Sequence, residues 1–169
     1  KEAIIDGQDA LTREICFMPP CTGEYVLFGW WEYPSGDKTC GNYQLDHYGA
    51  YGTQALINFW EKDLLSEYGK YFSNVTAMFI DSLEYRTHLD WTWGFLELFE
   101  QERGYDIAPY LPALYDSDNT FGNFCAFPEP DFRFDNYSAQ LLRDYYECLT
   151  RLYVKNHLEP LVRFCRRHG

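Results

Sequence analysis

The chain of 169 residues is long enough for one domain with a buried core. Its formal net charge of −12 excludes nucleic acid and membrane surfaces as expected partners, because both attract clustered Lys and Arg. No apolar run approaches the ~20 residues of a membrane helix, whereas aromatic residues reach 20% of the sequence.

The first half of the chain predicts two strands with a helix between them. Residues 1–22 predict an irregular lead-in. Glu24–Trp31 is rich in β-formers and predicts the first strand. In Ala50–Tyr68 the apolar residues recur at helical spacing, and Gly69 follows as the predicted C-cap. Val75–Ile80 is almost continuously apolar, which is typical of a parallel strand covered on both faces.

The second half of the chain predicts helices. Asp90–Arg103 predicts a helix with Asp90 as its N-cap. Residues 115–135 predict an irregular loop, because Gly and Pro interrupt them. Ser138–His168 predicts one helix, or two helices joined near Asn156–Pro160.

This order of elements predicts an α/β fold. Strands that alternate with helices favour a parallel sheet with long crossover helices, and a whole (β/α)₈ barrel needs about 250 residues. We therefore expect residues 1–169 to be a single segment of a TIM barrel. The rest of the barrel would come from the remainder of the same protein or from a partner chain.

Cysteines and sequons predict a secreted protein. The even number of cysteines and their irregular spacing favour disulfides, with six buried free thiols as the alternative. Two pairings suggest themselves: a short loop between the first two cysteines, and a link between two helical segments through the last two. Asn74 and Asn136 begin N-x-[ST] sequons and are glycosylation candidates. The six disulfide candidates are Cys16, Cys21, Cys40, Cys125, Cys148 and Cys165.

Carboxylates and aromatic rings follow the second predicted strand. Asp81 and Glu84 come directly after Ile80, and the carboxyl ends of barrel strands face the active site. Glycosidases use a pair of carboxylates, one as acid and one as base or nucleophile. The pattern thus favours carbohydrate chemistry. The alternative is that Asp81 caps a turn and that Glu84 is a solvated surface residue.

An ordered set of motifs resembles one enzyme family. MFIDSLE is followed by DWTWGFLELFEQERGYDIAPYLPAL and by DYYECLTRLYVKNHLEPLVRFCRRHG, and YQLDHYGAYGTQAL precedes all three. The stretch from about Tyr43 to Gly169 resembles the catalytic barrel of the α-L-rhamnosidases of glycoside hydrolase family 106 and their close relatives. The resemblance implies a (β/α)₈ barrel that hydrolyses a terminal α-L-rhamnose-like sugar with inversion. It also implies Ca²⁺ as a candidate cofactor at the sugar.

The resemblance also implies roles for individual residues. Glu84 matches the general acid, and Asp81 would bond a sugar hydroxyl or orient Glu84. The catalytic base is expected beyond Gly169. Asp46 and His47 match an Asp-His-like segment and are candidates for contacts to sugar hydroxyls or an ion. A structural, hydrogen-bonded histidine is the alternative for His47. Four tryptophans are candidates for stacking on the sugar, with one of each neighbouring pair expected in the core: Trp30, Trp31, Trp91 and Trp93.

Two function classes stay open from the sequence. The first is a secreted glycoside hydrolase of which this chain is a catalytic segment. The second is a non-catalytic extracellular module that binds carbohydrate or assembles with a partner and reuses part of a barrel. A metal-dependent hydrolase is a third and weaker option, because no spacing of the acidic residues is diagnostic of a metal site.

Overall fold

The computed structural model describes most of the chain, in two compact units that comprise residues 1–32 and 33–169. The described residues are 18–36, 38–39, 41–81, 83, 87, 89–117, 129–134 and 137–168. Five of the predicted site residues lie outside these ranges: Cys16, Cys40, Glu84, Cys125 and Asn136.

The first unit has no helix or strand in its described part, residues 18–32. The Tyr25 hydroxyl donates a hydrogen bond of 2.6 Å to the carbonyl oxygen of Cys21. The strand predicted over Glu24–Trp31 is wrong, and its side chains are exposed, to 81% for Trp31. The β-forming composition indicated a strand, but strand geometry depends on a paired neighbour, and no β-ladder of the described chain includes this segment.

The second unit is built from helices and one short antiparallel hairpin, as far as it is described. In the hairpin, β1 (Lys38–Thr39) pairs with β2 (Asn42–Tyr43). The helical segments, in chain order, are α1 (Ala50–Phe59), a first π segment (Trp60–Leu64), α2 (Leu65–Tyr68), a first 3₁₀ helix (Gly69–Asn74), α3 (Phe95–Arg103), a second 3₁₀ helix (Ala108–Ala113), α4 (Ser138–Tyr153), a second π segment (Val154–Leu158) and α5 (Glu159–His168).

The predicted α/β fold, a (β/α)₈ barrel segment with parallel strands, is therefore wrong. The described chain is helical, and its strands amount to the two-residue β1 and β2. Val75–Ile80, the predicted buried strand, has an extended backbone at Val75 and exposed side chains throughout, to 84% for Phe79. A continuous apolar run needs cover on both faces to be a buried strand. In the described part of the chain this run has no strand beside it.

Both long predicted helices are confirmed. The helix expected over Ala50–Tyr68 consists of α1, the first π segment and α2, and Gly69 follows as the C-cap residue with a right-handed φ of −54°. The helix expected over Ser138–His168 is one continuous rod in which the second π segment joins α4 to α5. No helix in the described residues is long and apolar enough for a membrane span.

A proline accounts for the second π segment. Pro160 has no N–H to donate to the carbonyl of Asn156, and its ring crowds that carbonyl in a regular α-helix. A wider π turn just before Pro160 relieves this crowding and keeps the rod continuous.

Helix α3 begins later than the sequence predicts. Its N-cap is Gly94, with φ of 71°, and not Asp90. Gly104, with φ of 77°, ends the helix and donates its N–H to the carbonyl oxygen of Glu100 at 2.8 Å. The left-handed φ at both ends explains why glycine stands there.

Two apolar clusters pack the helices onto the long rod. In the first, α3 and the second 3₁₀ helix pack on α4 around Phe95, Phe99 and Tyr145. In the second, α1 packs on α5 through Ile57, Leu161 and Phe164. Burial of each such side chain contributes about 1.5–3 kcal/mol. The second π segment lies between the clusters along the rod and also contacts α1.

A charged network ties the end of α3 to α4. Arg103 forms salt bridges of 3.3 Å to Asp144 and 3.0 Å to Glu147. The Tyr105 hydroxyl donates to the other oxygen of Asp144 at 3.0 Å. Hydrogen bonds to charged partners are the stronger kind. These contacts hold the segment that ends α3 against α4.

Candidate functional site

Asp46 builds the turn that leads into α1. Its Oδ1 accepts the backbone N–H groups of Tyr48, at 2.9 Å, and Gly49, at 2.8 Å. Its Oδ2 accepts the hydroxyl of the buried Thr92 at 2.7 Å. A negative charge before a helix N-terminus is favourable. Three of roughly four acceptor positions of the carboxylate are therefore used to hold this turn against Thr92.

Two glycines allow the turn to close on Asp46. A Cβ atom at Gly52 would overlap the backbone carbonyl of Asp46, and one at Gly49 would overlap its carboxylate. The same atom at Gly49 would lie 2.7 Å from the Thr92 hydroxyl oxygen. The Asp46-x-x-Gly49-x-x-Gly52 spacing thus serves close packing, and not an unusual backbone conformation.

Gly52→Ala should therefore destabilise the fold. Its methyl group meets backbone atoms that cannot rotate away, so we expect a loss of about 1–3 kcal/mol in the free energy of unfolding, as for overpacked cores. Urea denaturation measures this loss. Gly69→Ala is the matched control, because its Cβ meets only Leu65 at 3.9 Å and its φ suits alanine. Equal stability of the two variants would contradict the packing argument.

Asp90 joins the same turn to α4. Its two carboxylate oxygens accept the hydroxyls of Tyr48, at 3.3 Å, and Thr87, at 3.0 Å. The buried Tyr145 of α4 donates its hydroxyl to the Asp90 carbonyl. Burial, and then the charge of Asp90, raise the pKa of Tyr48 far above its usual range, so Tyr48 remains a donor. Asp90 is a bridge between segments and not the helix cap that the sequence predicts.

Two histidines, one at the turn into α1 and one in the second π segment, complete a polar cluster with Asp46, Asp90 and Thr92. His157 is only 3% exposed, and its Nδ1 lies 2.8 Å from the hydroxyl oxygen of the fully buried Thr53. The His47 ring meets the His157 ring edge-on, with 4.4 Å between centroids, and Tyr153 stacks on His157 at 5.3 Å. Asn156 donates its side-chain N–H to the Tyr48 carbonyl at 2.6 Å.

Burial favours the neutral form of both histidines. Burial, and secondarily the neighbouring His47, lower the pKa of His157 to about 4. Burial also lowers the pKa of His47, against smaller opposing effects of the Leu45 backbone and Asp46. A neutral imidazole has one donor and one acceptor nitrogen, which suits a bond to a threonine hydroxyl.

The predicted aromatic residues lie in different surroundings. Trp91 is half-buried and packs on Phe95, with 4.5 Å between ring centroids, whereas Trp93 is 65% exposed on the turn before α3. One ring of this pair thus packs against the core and the other lies on the surface, although neither lies in a helix. Trp30 and Trp31 belong to the first unit and are exposed there.

The predicted polar residues are only partly brought together. Asp46 and His47 lie in the cluster. Asp81 lies on the exposed segment that follows Ile80. Sequence reasoning missed Thr92 and His157, which reach the turn from distant parts of the chain. One signal was present for His157: it lies four residues before the buried Leu161, on the apolar face of the rod.

Three cysteines are described, and all are free thiols: Cys21, Cys148 and Cys165. Cys148 and Cys165 lie on one continuous helix, on the order of 25 Å apart at 1.5 Å per residue, so they cannot bond to each other. Burial raises the pKa of the Cys148 thiol to about 12, which disfavours the nucleophilic thiolate.

The described residues do not fit the Ca²⁺ implied by the family resemblance. Ca²⁺ takes six to eight oxygen ligands, and three acceptor positions of Asp46 already hold hydrogen bonds. Within the described ranges, no group of three or more His, Cys, Asp or Glu side chains is placed to hold a metal ion.

Comparisons of the chain with protein-family models, with curated proteins and with solved structures find no match.

Proposed function

We propose that this chain is a segment of a secreted glycoside hydrolase that cleaves a terminal α-L-rhamnose-like sugar with inversion. The main support is that three stretches with family-like motifs are bonded to one another. A bond between Asp46 and Thr92 joins residues 43–56 to residues 90–114. A bond between Asp90 and Tyr145 joins residues 90–114 to residues 144–169. A bond between Asn156 and Tyr48 joins residues 144–169 back to residues 43–56. These contacts hold the three motif-bearing stretches against one another.

The proposed chemistry uses Glu84 as the general acid. Glu84 follows the Asp81-Ser82 pair, which is the position of the acid in the family that the chain resembles. In an inverting reaction a second carboxylate activates water about 6.5–9.5 Å from the acid. The exposed Trp93 offers a flat ring to the apolar face of a sugar, and it follows Thr92, which Asp46 holds.

A substrate screen of the full-length native protein tests the proposal. We expect hydrolysis of a nitrophenyl α-L-rhamnoside or of a closely related glycoside, and NMR of the first product should show the inverted anomer. Absence of turnover on every glycoside, in a folded protein that still binds sugar, would contradict the hydrolase and favour a binding module.

Exposed aromatic rings favour this second candidate, a non-catalytic extracellular carbohydrate-binding module. Trp93 and Tyr51 are both exposed, on segments that the contact of Asp46 with Thr92 joins. Titration calorimetry measures the sugar affinity of the wild type and of Trp93→Ala. A lower affinity of the variant indicates that the Trp93 ring stacks on the sugar. Tyr137→Ala is the matched control, because Tyr137 is equally exposed and lies outside the shared motifs.

Secretion is part of both proposals. Asn74 ends the first 3₁₀ helix with an exposed side chain, so its sequon is accessible to glycosylation.

A further inference from the structure

Five side chains or backbone groups fasten the start of α1 to the second π segment. We call this set the latch; it comprises His47, Tyr48, Thr53, Asn156 and His157. Its contacts are the edge-on pair of histidine rings, the bond between Thr53 and His157, and the bond from Asn156 to the Tyr48 carbonyl. The latch lies between the two apolar clusters that otherwise hold α1 and α3 on the rod.

We propose that the latch is acid-sensitive, and that protonation of its histidines releases the start of α1 from the long helix. The geometry supports this directly. His157 is 3% exposed and its ring is enclosed by His47, Tyr153 and Thr53. A second proton on the His157 ring would make it a buried cation, which is unfavourable. If the His47 ring were protonated as well, two positive charges would be in contact.

The groups around the latch do not offset the free-energy cost of protonating His157. On the α1 side, Asp46 favours a charge on His47 but less than burial opposes it, and Asp90 faces Tyr48. On the rod, Tyr153 presents a neutral ring. In the described part of the chain, no salt bridge includes His157.

A groove of about 600 Å³ between α1 and the rod gives solvent access beside the latch, with Gln54 and Asn156 in its lining. Its charged side chains have both signs, and four of them form the salt bridges Arg167–Glu61 and Arg163–Glu159. The charged residues of the groove are Glu61, Lys155, Glu159, Arg163 and Arg167.

The direction of the pH effect follows from the lowered pKa values. A histidine whose pKa is lower in the folded than in the unfolded state takes up its proton on opening. Its stabilising contribution is complete above the unfolded value of about 6.5 and is lost as pH falls toward the folded value, about 4 for His157. Acidification from pH 7 therefore opens the latch, and neutral pH closes it.

Two measurements on the whole chain test the latch. NMR titration should give the His157 ring proton a midpoint well below 6. Hydrogen exchange, corrected for its intrinsic pH dependence, should show residues 47–57 and 150–160 losing protection between pH 7 and 4.5. A His157 midpoint near 6.5, or exchange that does not change with pH, would overturn the proposal.

Variants separate the latch from general acid denaturation. His157→Asn keeps a hydrogen-bonding group near the position of Nδ1 but does not titrate. Between pH 7 and 4, the unfolding constant of the wild type should rise about 10²-fold more than that of this variant. His168→Gln is the control, because the half-exposed His168 lies at the end of α5, outside the latch. Equal pH dependence of wild type and His157→Asn would contradict the latch; if the variant does not fold, the NMR titration decides.

Discussion

In the proposed hydrolase, Glu84→Gln should lower kcat on an unactivated glycoside by at least ~10²-fold, the lower end of what general acid catalysis contributes. Glutamine fills nearly the same volume and forms similar hydrogen bonds, but it has no proton to give to the leaving oxygen. The loss should be smaller on substrates with activated phenol leaving groups, since these need little protonation. Steady-state kinetics on both substrate types measures the difference.

Glu97→Gln is the matched control for this experiment. Glu97 is an exposed carboxylate in the first turn of α3, within the motif that follows the one containing Glu84, and has no role in the proposed reaction. We expect it to keep normal kcat. A folded Glu84→Gln protein with wild-type kcat on an unactivated glycoside would show that Glu84 is not the acid. Loss of activity in both variants would point to disturbed folding.

Helices could be predicted from the sequence because their signal is local and periodic. The stripe that includes Leu149, Leu152, Leu161 and Phe164 recurs at three- and four-residue steps and is buried in the structure. The predicted strands failed because their signal was composition alone. Val75–Ile80 is apolar and β-forming, but a strand also requires a partner, which a single segment of sequence does not specify.

The site could be predicted only where its residues are neighbours in sequence. Asp46 and His47 stand together in one motif, and the helix that follows marks them as a helix entry. Thr92 lies 46 residues from Asp46, and His157 lies 104 residues from Thr53. Such pairs form when the helices pack, so their partners follow from tertiary structure and not from local pattern.

Asp46 connects the local motif with this packing, so its removal tests the scaffold as a whole. Asp46→Ala leaves the N–H groups of Tyr48 and Gly49 without their acceptor and the buried Thr92 hydroxyl without its partner. A hydrogen bond to a charged group contributes about 1.5–3 kcal/mol, and an unsatisfied buried group costs about 1–3 kcal/mol. We expect the free energy of unfolding to fall by about 2–4 kcal/mol at pH 7, measured by urea denaturation.

Two comparisons identify the cause of this loss. Asp46→Asn keeps an oxygen for the two N–H groups and offers an amide N–H to the Thr92 hydroxyl, so it should lose less than half as much stability. Asp106→Ala removes one exposed bond of the same kind, 2.8 Å to the N–H of Ala108, and should also cost less. If Asp46→Ala is no more destabilising than Asp106→Ala, the bond to Thr92 contributes nothing measurable. The three hydrogen bonds of Asp46 would then act independently, and the turn before α1 would not need Asp46 to stay packed against Thr92.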